Sequence, residues 1–109
     1  MTAEQFNVVL ESRIGLIRET LQTKAAEYAT DDRLYNFKSA AQEFGGTPQQ
    51  VLWGYLTKHL VSVRDMVMAV RPLTPAAVTE KIGDSINYLI LLEGLFHELF
   101  QMPATDTTM

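Results

Sequence analysis

The sequence predicts an all-α protein, a small bundle of four helices. Apolar residues recur at intervals of three and four over most of the chain. Helix-start signals stand at three places, "TAEQ", "TPQQ" and "LTPAA". No segment reads convincingly as a strand.

In "TAEQ", Thr2 is the N-cap and Gln5 the third helical position, the reciprocal pairing of a capping box. A first helix is expected from Ala3 to about Ala29. Phe6, Leu10, Ile14, Ile17, Leu21, Ala25 and Tyr28 form its apolar stripe, and Lys24 lies beside it, one turn before Tyr28. "ATDDRLYN" breaks the pattern, and Asp31 or Asp32 can cap a shorter second helix with Leu34, Phe37, Ala41 and Phe44 on one face. Gly45 and Gly46 end it, because glycine accepts the left-handed backbone of a C-terminal cap. "TPQQ" opens the third helix. Thr47 caps, Pro48 sits where a missing N–H costs nothing, and Gln50 completes the box. Leu52, Leu56, Val63, Met66 or Val67, and Val70 line one face, with His59 on the same stripe. Lys58 falls on the neighbouring stripe. Thr74 and Pro75 start a fourth helix that runs to about Gln101, and Met102-Pro103 stops it. One domain is expected over residues 1–102, with a frayed tail at 103–109.

The fourth helix is apolar nearly all round from Tyr88 to Leu92. Such a helix is surrounded by protein. Four helices in so short a chain surround none of their number, so a homo-oligomer is expected to complete the bundle.

Composition narrows the function. A net charge of −4 gives no electrostatic footprint for a nucleic-acid polymer. The absence of cysteine excludes disulfides, thiolate metal sites and Cys nucleophiles. The N-terminus has no basic leader, and the longest apolar run, "YLILL", is far short of a membrane span. A soluble, cytoplasmic protein is the expectation. "FGGTP" lacks the lysine and spacing of a P-loop, no serine sits in a nucleophile elbow, and His59 and His97 show no zinc spacing.

The chemistry-bearing pattern is "EKIGDSINYLILLEGLF". Glu80, Asp84, Asn87 and Leu91 point within about 60° of one another on a helix. Two carboxylates in a partly desolvated place repel, and they need a metal, an Arg or Lys, or a proton. Their oxygens suit Mg2+ or Mn2+, which commonly bring a nucleotide phosphate with them. The plain alternative is a first exposed turn whose acids meet the helix dipole. Lys58 and His59 can supply positive charge to phosphate opposite this stripe. They equally fit a solvated lysine and a hydrogen-bonded core histidine. Lys24, Tyr28, Arg33 and Asn36 gather cations, a ring and an amide at one helix–helix corner, as a nucleotide site needs and as any solvated corner also shows.

The order "K-x-x-E-Y … D-R-x-x-N-F … L-W-G-Y-x-x-K-H-x-x-S-V … E-K-I-G-D-x-x-N-Y-L-x-L-L" resembles small phage and prophage proteins related to the MazG-like all-α nucleoside triphosphate pyrophosphohydrolases. It is also similar to nucleotide-modification-associated helical domains of phages. The resemblance covers roughly Lys24 to Leu92, and its most specific part is "EKIGDSINYLILL", set against the family's "E-E-x-G-D" helix. It implies an oligomeric protein of the bacterial host's cytoplasm that binds a nucleotide and holds Mg2+ through acidic side chains. It also implies cleavage between the α- and β-phosphates. By position, Glu80 and Asp84 are the catalytic and metal-binding acids. The family's second glutamate is Lys81 here, and its E-x-x-E element is not visible. Three readings follow: a Mg2+-dependent pyrophosphohydrolase, a non-catalytic protein that sequesters a nucleotide, and an oligomeric interaction module.

Overall fold

The computed structural model describes residues 1–24 and 32–101, Lys24 by its backbone alone. Among them are four α-helices, α1 (Ala3–Arg18), α2 (Tyr35–Phe44), α3 (Pro48–Val67) and α4 (Pro75–Phe100). No strand occurs among the described residues. None of the described helices is long and apolar enough to cross a membrane.

The helix starts follow from local chemistry. The Gln5 N–H donates to Thr2 Oγ1 at 3.0 Å, while the Thr2 N–H donates to Gln5 Oε1 at 2.8 Å. Thr47 and Gln50 repeat this box at the start of α3. Thr74 caps α4 by accepting from the Ala77 N–H. Each cap satisfies a helix N–H that otherwise lacks a partner, a contribution of about 1 kcal/mol. Asp32 acts one turn before α2. Its Oδ1 accepts from the Leu34 N–H at 2.9 Å, and its Oδ2 accepts from Lys38 Nζ at 2.7 Å. Lys38 also donates to Glu98 Oε2 on α4 at 2.7 Å, so one ammonium ties two helices together.

The helix ends differ more from expectation. Gly45 and Gly46 both have φ of +87°, where a side chain would be strained. The apolar stripe of α3 suggests a helix to Val70, but α3 stops at Val67. Ala69 takes a left-handed φ of +56° that turns the chain, and Val67 and Val70 are left exposed. α1 is α-helical only to Arg18 and continues as π-helical turns over Glu19–Lys24. Each π turn admits extra residue length, so the stripe's period is broken there. The expected continuation to Ala29, including Tyr28, lies outside the described residues, as do the expected cap Asp31 and the tail.

The core lies between α2, α3 and α4. Phe37, Leu52, Leu56 and Leu95 form it, and Leu34, Val51, Tyr88, Leu91 and Leu92 pack around it. Fully burying each such side chain contributes roughly 1.5–3 kcal/mol. α1 stands apart from this core. No residue of α1 is buried among the described residues. Ile14 and Ile17 are half-buried, while Phe6 and Leu10 are exposed.

Candidate functional site: a cleft between α1 and α4

Glu80, Asp84 and Asn87 sit four and three residues apart on α4, and all three line one cleft of about 160 Å³. Leu16 of α1 and Thr20 of the π-helical turns form the facing wall, together with Arg13. Arg13 Nη2 donates to the Thr79 carbonyl at 3.0 Å, crossing from α1 to α4. Gly83 makes room for it: a Cβ at that position would lie 2.5 Å from Arg13 Nη1. The guanidinium therefore rests on α4 backbone where a side chain would otherwise stand, one residue from Asp84.

The two carboxylates differ in setting. The Glu80 side chain is 64% exposed at the mouth of the cleft, and its Oε1 lies 3.2 Å from Lys81 Nζ. Of the two readings of this stripe, a partly desolvated place and an exposed first turn, Glu80 fits the second, because the first turns of α4 extend past the core. The Asp84 side chain is 39% exposed, with its Oδ2 3.5 Å from His59 Nδ1 on α3. Asn87 Oδ1 is buried and has no hydrogen-bond donor among the described residues. An unsatisfied buried carbonyl costs about 1–3 kcal/mol unless a donor or a cation meets it.

His59 is held from its other side by a ring. It stacks on Tyr88 with centroids 4.9 Å apart and planes 25° apart. Tyr88 continues into Tyr55 and Phe37, with centroids 6.4 Å and 6.3 Å away. Burial pushes the Tyr88 phenol above its usual range, the Asp84 charge adds to this, and Tyr55 contributes least. Asp84 thus faces two environments, the aromatic wall of His59 and Tyr88 and the cleft of Arg13.

The other expected residues are not gathered here. Lys58 is exposed on α3 and does not line the cleft. Arg33 donates to the Leu21 carbonyl, bracing the turn before α2 against the π-helical segment. Asn36 is exposed on α2. Tyr28 and the side chain of Lys24 lie outside the described residues. Arg13 is the residue that sequence reading missed. Its signal was a cation about 20° from Phe6 on the helical wheel of α1, at the edge of an apolar stripe.

Mg2+ takes oxygen ligands and commonly binds through one or two carboxylates completed by phosphate and water. Glu80, Asp84 and the orphaned Asn87 oxygen are a donor set of this kind. No group of three or more His, Cys, Asp and Glu able to hold a metal occurs among the described residues. A metal there would depend on its ligand for the rest of its coordination. No protein-family model, curated protein or solved structure matches the chain.

Proposed function

We propose that this chain binds a phosphorylated nucleotide with Mg2+ in the cleft between α1 and α4, on an oligomeric MazG-like helical scaffold. The observation that carries the reading is the meeting of Glu80, Asp84, Asn87 and Arg13 around one cleft. Glu80, Asp84 and Asn87 Oδ1 would hold the ion, which supplies charge neutralisation and polarisation of a phosphoryl oxygen. Arg13 offers a guanidinium whose planar fork suits phosphate. The cleft is too small for a whole nucleotide, and it opens into an apolar groove of about 550 Å³ that shares Arg13, Leu16 and Thr79 with it. Phosphates in the cleft would leave the base on apolar side chains, the mix of surfaces usual in small-molecule sites.

Cleavage of the α–β phosphate bond is the second reading, and the His59–Asp84 contact favours it. It sets an imidazole and a carboxylate side by side at 3.5 Å, the two side-chain types that most often move protons in catalysis. Retention of an unchanged nucleotide is favoured instead by the shortage of carboxylates in the cleft. Native mass spectrometry of the freshly purified protein, followed by incubation with nucleoside triphosphates and Mg2+, tests both. Binding that requires Mg2+ and is lost in Asp84→Asn supports the proposal. Pyrophosphate release assigns catalysis, and recovery of intact ligand assigns sequestration. No nucleotide bound under any of these conditions overturns the reading.

A further inference from the structure

The chain leaves α3 by a turn that folds back on the helix. The Ala69 N–H donates to the Met66 carbonyl at 3.2 Å, and the Val70 N–H donates to the Asp65 carbonyl at 3.0 Å. With Ala69 at a φ of +56°, this is the left-handed C-terminal cap more often built on glycine. The turn delivers Arg71 and Pro72 to a cavity of about 180 Å³ between the end of α3 and the first two turns of α4. This cavity shares no lining residue with the Arg13–Asp84 cleft or with the apolar groove.

Its walls carry charges of both signs that do not neutralise one another. Arg71 and Lys81 line it as cations and Asp65 as an anion. Neither cation reaches ion-pair distance of Asp65, and Arg71 has no charged or hydrogen-bonding partner among the described residues. Asp65 is the most enclosed of the three, its side chain 20% exposed, and its contact with Arg64 is long, at 3.5 Å to a side chain 67% exposed. Lys81 lies 3.2 Å from the exposed Glu80. Pairs so open to water hold little energy, and an ammonium has three donors, so both cavity groups stay available. Ser62 donates its hydroxyl proton to the Lys58 carbonyl at 3.3 Å, which leaves its oxygen free to accept.

We infer that this cavity is a second small-molecule site, and that it takes a zwitterion, an α-amino acid with a small apolar side chain. The ligand's carboxylate meets Arg71 and Lys81, whose donors suit carboxylate oxygens. Its ammonium meets the Asp65 carboxylate and the Ser62 oxygen, both acceptors. Its side chain lies against Met66, Pro72 and Ala77. The volume holds about six waters, the bulk of a molecule of roughly six to eight heavy atoms. A simple anion such as phosphate satisfies the two cations and leaves the Asp65 charge enclosed and repelled. A simple amine satisfies Asp65 and leaves the two cations facing each other. A molecule carrying both charges completes every wall.

The inference does not depend on the nucleotide reading. Titration calorimetry of the full chain against the common amino acids tests it, with acetate, ethylamine and inorganic phosphate as single-charge probes. One or a few small apolar amino acids should bind with a Kd between about 10 µM and 1 mM, the range open to so small a ligand. Arg71→Gln and Asp65→Asn should each weaken that binding roughly ten-fold or more, by removing one charged hydrogen-bonding group. The Arg71 side chain is exposed, so thermal melts of Arg71→Gln should match the wild type. Nucleotide binding, where it occurs, should be unchanged in Arg71→Gln. No amino acid bound at about 10 mM overturns the inference. Acetate or phosphate binding as tightly as any amino acid also overturns it, and more tightly still in Asp65→Asn would make the cavity a plain anion site. Amino-acid binding that neither substitution weakens places the ligand elsewhere and overturns it as well.

Discussion

Gly83 is defined by what stands over it. Its missing Cβ is the space that Arg13 occupies, and a methyl there would meet Nη1 at 2.5 Å. The atom that must yield is the end of a long flexible side chain, so the fold can absorb the change. Alanine is also the better helix former by about 1 kcal/mol. Gly83→Ala is therefore expected to leave thermal stability unchanged or slightly raised. It should weaken nucleotide binding about ten-fold by displacing one charged hydrogen-bonding group. Thermal melts and titration calorimetry on one preparation check this, and a loss of stability without loss of binding would count against the assigned role. Tyr88 gives a second reading of the same neighbourhood. Its phenol is raised, chiefly by burial. The unfolded chain thus loses this proton at a lower pH than the folded one, and stability falls as pH rises above about 10. Ultraviolet titration should show a late tyrosinate component that Tyr88→Phe removes. Asp84→Asn should shift that component towards lower pH.

Between helices, Lys38 is the clearest single tie, joining Asp32 before α2 to Glu98 on α4. Its hydrogen bond to Asp32 is the main cause holding that carboxyl below its ordinary value of 3.8, with the Leu34 N–H second. The same bond, then the one to Glu98, raises Lys38 above 10.5. The depressed carboxyl contributes stability above the ordinary carboxylate range and loses it as pH falls through the folded value. The raised ammonium contributes below about 10.5 and loses it as pH rises through its own folded value. Urea unfolding of wild type and Lys38→Met should differ by about 1 kcal/mol or less near neutrality, since these partners are partly exposed. The difference should shrink below about pH 4 and above about pH 10.5. Such a tie joins residues 60 apart and has no local signature. The capping boxes of Thr2 and Thr47, the cap at Thr74 and the stop at Gly45 were legible because three or four residues suffice to make them. The faces of α2 and α3 were legible from their period, which brought Phe37, Leu52 and Leu56 to the core. The period cannot say what lies opposite a face. The stripe of α1 looked like that of α3, yet it meets a groove. Likewise Glu80, Asp84 and Asn87 could be placed on one line of α4, while Arg13, 66 residues from Thr79, could not be paired with them.

Taken as one body, the described chain has a core made by three helices and a fourth helix that only leans on them. Ordering the 16 residues of α1 costs roughly 1–2 kcal/mol per residue in backbone entropy, offset within the helix mainly by its own hydrogen bonds. Against α4, α1 adds the Arg13 hydrogen bond and the partial burial of Ile14 and Ile17. If α1 is completed by a second copy, unfolding is also dissociation, and mass action enters the melting temperature. Each ten-fold rise in protein concentration then adds about 1.4 kcal/mol to the stability of a dimer. At the unfolding entropy of a domain this size, that amounts to an increase of several degrees per decade of concentration. Circular dichroism melts between about 1 and 100 µM should therefore move steadily upward for the wild type. Val9→Glu, which puts a charge in the groove between α1 and α4, should melt at a lower temperature that does not depend on concentration. A wild-type midpoint that stays constant over this range would mean that α1 is stabilised within one chain. The cleft of Arg13 and Asp84 would then be open to solvent on its groove side, with no second copy to wall it.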